Sequence, residues 1–246
     1  MAKVTRWVAT RDLEIVVDKE PWRLPEGLQQ QVNQYWDGLI RHGTPFFRGP
    51  VLSVRQVHEE GSSVVIEGVL TDYAHYLFSR QLPAQHPYQV RVLFAAACLV
   101  TRDNWLIAGV MSPDTSRPGW IQAIGGSPNF DDIVDGRFLP VFSARREALE
   151  EVGIEIPPSR CEVKGFTQDE MGRIAIAVSM SLEQRCDEII NDVRRYLNIL
   201  SQDGPTELED VLGIPIGPSG LHVLESQTRP VVRYLKAIVQ GFYTGG

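Results

Sequence analysis

The chain has 246 residues, 43% of them hydrophobic and 22% charged, with a formal net charge of −7. That length suits one large domain or two small ones, no run of apolar residues is long enough to span a membrane, and the acidic balance excludes a general attraction for a nucleic-acid backbone. Three scattered cysteines, Cys98, Cys161 and Cys186, lack CxxC or Cys/His spacing and read as reduced thiols, and charges break every apolar run of the amino terminus, so the expected location is cytoplasmic.

In chain order, alternation and β-prone residues predict a strand at 13–17, helical spacing predicts a helix at 25–41, and strands follow at 51–57 and 63–70, joined as a hairpin through His58-Glu59-Glu60-Gly61. The stretch 81–88, with Pro83 and Pro87 among polar residues, reads as a linker, dividing an amino-terminal α+β unit (1–88) from a larger domain (89–246). Beyond it, 90–100, 105–111 and 120–124 read as strands, the last ending in Gly125-Gly126. A polar, acidic stretch leads to Pro140, suited to the first turn of a helix that runs to Val152 and stops at Gly153. Strands at 161–166 and 173–182, an amphipathic helix at 183–200, a strand at 211–216 and a closing helix at 230–240 complete an α/β (α+β) chain around a mixed sheet.

The chemistry concentrates in Arg146-Glu147-Ala148-Leu149-Glu150-Glu151-Val152-Gly153. On a helix Glu147, Glu150 and Glu151 stand at i, i+3 and i+4, so three carboxylates share a face, while Phe142, Leu149 and Val152 form the expected packing face. Like charges so spaced repel, and the last turn is the negative end of the helix dipole. Taken alone such a cluster reads as a solvated acidic face; a hard divalent cation would offset both penalties, and Arg146 can reach Glu150 one turn on. A match to Arg, Glu, Glu, Glu and Gly at these places arises by chance with a probability on the order of 10⁻⁴ to 10⁻³ under ordinary residue usage.

These residues resemble the Nudix box, G-x5-E-x7-R-E-U-x-E-E-x-G-U with U aliphatic. Arg146, Glu147, Ala148, Glu150, Glu151, Gly153 and Ile154 fill its second half. The first half departs: Gly126 lies twenty residues before Arg146 rather than fourteen, and Phe138 stands where the pattern has glutamate, with Asp131, Asp132 and Asp135 nearby as replacements. The resemblance implies a Nudix α/β/α sandwich, with Mg²⁺ or Mn²⁺ held by Glu147, Glu150 and Glu151, Arg146 orienting them, and Gly125 and Gly126 admitting the phosphates. The expanded loop, the Gly68-to-Tyr73 run and the Gly204-Pro205 to Gly213-Ile214 segment further resemble the branch acting on UDP-glucose and UDP-galactose. That resemblance implies hydrolysis of a UDP-sugar to UMP and a sugar 1-phosphate, a small-molecule partner and neither nucleic acid nor membrane. The amino-terminal unit would close the cleft or support a homodimer.

Alternatives stay open: ADP-ribose or a dinucleotide as substrate, or a catalytically silent Nudix-fold protein that binds a nucleotide sugar. The general base is Glu150 or a later carboxylate among Glu207, Glu209 and Asp210; Glu170 stands between a hairpin turn and a site contribution. Trp120 and Tyr73 are either core or stacking rings. The five histidines show no ligand spacing and receive no role.

Overall fold

The computed structural model describes residues 5–44 and 46–244. The first four residues of the stretch read for a secretory leader lie outside them. Strands β1 (Arg6–Ala9) and β2 (Asp12–Val17), helix α1 (Glu26–Arg41), strands β3 (Pro50–Glu60) and β4 (Ser63–Asp72) and helix α2 (Tyr73–Ser79) come first. Strands β5 (Val92–Val100), β6 (Trp105–Met111), β7 (Ile121–Ala123), β8 (Ile133–Val134) and β9 (Arg137–Phe138) lead to helix α3 (Pro140–Val152). Strands β10 (Cys161–Gln168) and β11 (Ile174–Ser181), helix α4 (Cys186–Leu200), strand β12 (Leu208–Pro215) and helices α5 (Pro218–Glu225) and α6 (Arg233–Thr244) follow.

One mixed sheet runs β1-β10-β11-β5-β3-β4-β2-β9-β8, while β6 joins β5 and carries β7 and β12. The β11/β5 and β2/β4 pairs are parallel and the rest antiparallel, so the expected α+β arrangement on a mixed sheet is present. Strands from both sides of residue 88 hydrogen-bond within it, Leu52 and Ser53 of β3 facing Leu93 and Val92 of β5.

The unbroken apolar run of β5 reflects burial on both faces, as expected when helices cover each side of a sheet. Leu93, Ala95, Ala97 and Leu99 point into a core with Ala144, Ala148 and Val152 of α3 and Ile189, Val193 and Leu197 of α4. Ala96 and Cys98 point the other way, into a core with Leu224 of α5 and Leu235, Ile238 and Val239 of α6. A third, smaller cluster packs Val32 and Trp36 of α1 on Ala74 and Leu77 of α2.

Five elements were not legible as such in the sequence: β1, α2, α5 and the two strands of the short hairpin β8–β9. The α2 helix is capped by Asp72, whose carboxylate accepts from the His75 backbone N–H. His75 is buried, hydrogen-bonded by Nδ1 to the Thr71 hydroxyl at 2.8 Å and by Nε2 to the Tyr88 carbonyl at 2.9 Å, which ties the 81–88 stretch to this helix. Burial lowers its pKa, consistent with a neutral ring in a structural role.

The packing face expected for α3 requires correction. Phe142 and Leu149 are 46% and 48% exposed; the buried stripe is Ala144, Ala148 and Val152, spaced i, i+4, i+8. Small side chains there let α3 approach β5 closely, and that rotation carries Glu147 and Glu151 inward with them.

Candidate active site

The site forms where the sheet splits. Along one edge of β5 the partner changes from β3 at Val92 and Leu93 to β6 at Leu99 and Val100. In the gap the Ala97 N–H donates to the Ile124 carbonyl at 2.8 Å, so the segment after β7 lies against the bare edge of β5. Gly125 follows with φ +137°, and a Cβ there would meet the Ala95 carbonyl oxygen at 2.3 Å, so only glycine fits. A Cβ on Gly126 would stand 2.8 Å from an oxygen of Glu147. The two glycines thus bring bare backbone against the acidic stripe of α3.

Glu147 and Glu151 are 5% and 6% exposed. The Gly125 N–H donates to Oε2 of Glu151 at 3.3 Å, whereas Oε1 of Glu151 is buried without a hydrogen-bond partner among the described residues. Burial pushes the Glu147 carboxyl up to about 7, against the pull of Arg146 and with a further push from Glu207. Burial, then Glu207 and Glu147, raise Glu151 well above the ordinary carboxylate range. Gly153 stops the helix in the left-handed region at φ +68°, pressed against the Tyr196 ring.

Arg146 is the hub. Its guanidinium pairs with Glu147 at 2.8 Å, Glu150 at 2.8 Å and Asp132 at 2.9 Å, and donates to the Ser127 carbonyl at 3.2 Å. Of the three loop aspartates, Asp132 alone turns inward, fully buried, and also accepts from the Asn129 N–H at 2.8 Å; Asp131 and Asp135 are exposed. Glu150, with a side chain 56% exposed, is directed onto Arg146 rather than towards Glu151.

The later carboxylates separate cleanly. Glu207 precedes β12 and lines the cleft; its surface is open to solvent there, but the surrounding protein, and then Glu150, raise its pKa. Its carbonyl accepts from the Ser112 N–H at 2.9 Å, which fixes it beside the end of β6. Glu209 pairs with Arg229 at 2.6 Å and Asp210 with Arg194 at 2.7 Å, so neither is free to face α3. Glu170 pairs with Arg233 at 3.2 Å on the cleft wall. Trp120 and Tyr73 both line that cleft, Tyr73 from α2.

Among the described residues no three His, Cys, Asp or Glu side chains already close around a metal-sized point. The donor chemistry nevertheless fits a hard divalent cation: the carboxylates supply oxygen only, three have raised pKa values, and one oxygen of Glu151 is orphaned. No described helix is long and apolar enough to cross a membrane.

No family model matches the chain. Over 119 residues, 45% of its length, it is 33% identical to sulfite oxidase of Gallus gallus, and the match spans 26% of that protein. The chain therefore matches about a quarter of that relative's length. Solved structures that resemble it include the E. coli ORF135 protein, at 16% identity and a TM-score of 0.36, covering 62% of this chain and 89% of that one. A hydrolase of the NUDIX family from Clostridium perfringens follows at 10% identity and a TM-score of 0.35, covering 63% and 99%. A Nudix hydrolase from M. smegmatis, RenU, stands at 10% identity and 0.32, covering 60% and 80%. Likenesses of this size assign no activity.

Proposed function

We propose that this chain is a Nudix-type hydrolase that splits the pyrophosphate bond of a nucleoside-diphosphate compound with Mg²⁺ or Mn²⁺, its first-choice substrate being a UDP-sugar cleaved to UMP and a sugar 1-phosphate. The observation that carries this reading is the burial of Glu147 and Glu151 against Gly125-Gly126, within RExxEExG, with Glu207 on the facing side of the cleft.

Glu147 and Glu151 would hold the cation, with Glu150 completing its shell once released from Arg146, and the cation when bound would supply charge neutralisation on the phosphate oxygens and a more acidic water. Arg146 keeps Glu147 and Glu150 oriented, and Asp132 keeps Arg146 in place. Gly125 and Gly126 line the cleft with bare backbone, which phosphate oxygens could approach beside Glu147 and Glu151. Glu207 is the general base in this account, because Glu150 is engaged by Arg146 while Glu207 has no ion-pair partner among the described residues. A raised carboxyl pKa suits acceptance of a proton near neutral pH.

A second reading, a nucleotide-sugar-binding protein without turnover, has the direction of Glu150 onto Arg146 in its favour. Hydrolysis assays on UDP-glucose, GDP-mannose, ADP-ribose and NADH across a Mg²⁺ titration separate the two. Metal-dependent cleavage of UDP-glucose supports the first reading; cleavage of another compound retains the hydrolase and removes the UDP-sugar. Binding without cleavage of any supports the second.

A further inference from the structure

Two cavities adjoin at Glu207. A cleft of about 640 Å³ contains Gly125 and Gly126 and extends past Trp120 to Arg80 and Arg117. A second cavity of about 360 Å³ lies beyond, lined by Asp114, Thr115, Asn129 and Thr206. Both share Tyr73, Met111, Ser116, Ser127 and Glu207, so Glu207 stands at the waist between them.

Their chemistry differs. In the larger cleft Arg173 is taken by Asp169 and Arg233 by Glu170, but Arg80 and Arg117 form no ion pair among the described residues. Arg80 comes from the end of α2 and Arg117 from the loop before β7, so the amino-terminal segment supplies part of the wall. The Arg117 guanidinium lies 5.7 Å from the Trp120 ring. Unpaired guanidinium groups beside a partly exposed indole suit a phosphate joined to a flat, stackable base. Among the described residues the smaller cavity has no lysine or arginine in its lining; Asp114 and Glu207 oppose a further phosphate. Its carboxylate, amide and hydroxyl groups, set beside the Phe46 and Phe47 rings and Pro50, Pro128 and Pro205, suit a neutral group with hydroxyl edges and apolar faces, as a sugar ring has.

We propose that the two cavities divide the substrate: the nucleoside monophosphate half lies in the larger cleft against Arg80, Arg117 and Trp120, and a neutral polyhydroxylated half lies in the smaller cavity against Asp114 and Asn129. This rests on the diphosphate-cleaving reading above and makes it more specific, because it selects diphosphates with two organic ends over nucleoside triphosphates. Arg80 and Asp114 are specificity-determining residues in this assignment.

Calorimetric titration of the whole chain in Mg²⁺ with UMP and with glucose 1-phosphate, each alone and each in the presence of the other, tests it without turnover. Both products are expected to bind together. Arg80→Ala or Arg117→Ala should weaken UMP by about tenfold or more, as loss of a charge-assisted hydrogen bond implies, and leave glucose 1-phosphate unchanged. Asp114→Ala should do the reverse, so each variant carries its own control for folding. Mutual exclusion of the two products, failure of either to bind at millimolar concentration, or UMP affinity indifferent to both arginines overturns the assignment. Simultaneous, separable binding without cleavage of any diphosphate would leave the two subsites standing and remove the hydrolase; cleavage of UDP-glucose with mutually exclusive products would do the opposite.

Discussion

The Arg146 guanidinium stands 2.9 Å from the carboxylate of Asp132, a fully buried side chain fourteen residues earlier in the expanded loop. This contact ties the loop to the acidic helix. Removing one partner of a buried pair leaves the other poorly compensated, at a cost of about 3–5 kcal/mol in dry surroundings. Arg146 keeps Glu147 and Glu150, so Asp132→Ala should cost about 2–3 kcal/mol in urea unfolding and also lower activity. A loss below about 0.5 kcal/mol, the range of ordinary surface changes, would show that Asp132 does not anchor the arginine.

The raised carboxyls predict the pH dependence of the metal-free protein. Glu147 sits at about 7 in the folded chain, above its value when unfolded, and Glu151 is displaced in the same direction. Between those values the folded state binds more protons than the unfolded one, so this stability is full below the unfolded pKa and is lost as pH rises through the folded pKa. Thermal unfolding without divalent cations should therefore give a higher Tm at pH 5 than at pH 8 from these groups, and added Mg²⁺ should offset the difference chiefly at pH 8. A Tm that rises from pH 5 to pH 8 in metal-free wild type would count against their unpaired burial.

Replacing a charge that is costly when empty and required when loaded separates stability from activity. Glu151→Gln should raise the metal-free Tm at pH 8 by about 3 °C or more, on the order of 1 kcal/mol for a chain of this size, while removing hydrolysis. Equal loss of stability and activity would identify Glu151 as a structural residue.

The glycine pair should respond unequally. Gly125→Ala places a Cβ 2.3 Å from the Ala95 carbonyl at a left-handed φ, and should destabilise the fold by about 2 kcal/mol or more. At Gly126 the obstacle is the side-chain carboxylate of Glu147 rather than backbone, so Gly126→Ala should cost less than Gly125→Ala, about 1 kcal/mol, yet lower kcat by displacing that carboxylate. Comparison of urea midpoints with turnover tests both.

Glu207 and Glu209 differ by two positions and should differ in function. Glu207→Gln should lower kcat by about 10²- to 10⁴-fold and remove the acidic limb of the pH–rate profile, as expected for loss of a general base. Glu209→Gln, whose native partner is Arg229, should stay near wild type. A retained acidic limb in the Glu207 variant would move the base elsewhere.

Much of this was readable before the fold was known, for identifiable reasons. The strands 90–100 and 105–111 appear as β5 and β6 within two residues because apolar runs of that length fit strands covered on both faces. Pro140 and Gly153 mark both ends of α3 through local backbone rules that packing did not override. What sequence spacing did not give was the rotation of α3. An all-apolar criterion favours Phe142 and Leu149 as packing residues, whereas close approach to β5 selects Ala144 and Ala148 and takes two glutamates inward. The selection of Asp132 among three aspartates, and of Glu207 over Glu209, depended on contacts across the fold. A capping signal was available for α2: Asp72 three residues before His75.

The central claim is most directly tested by UMP release from UDP-glucose, with and without Mg²⁺, in wild type and Glu151→Gln. The account predicts release that requires Mg²⁺ in wild type and falls at least about 100-fold in the variant, the scale expected when a group essential to metal-assisted catalysis is removed. UMP release that persists without divalent cation, or that survives in Glu151→Gln, would contradict it.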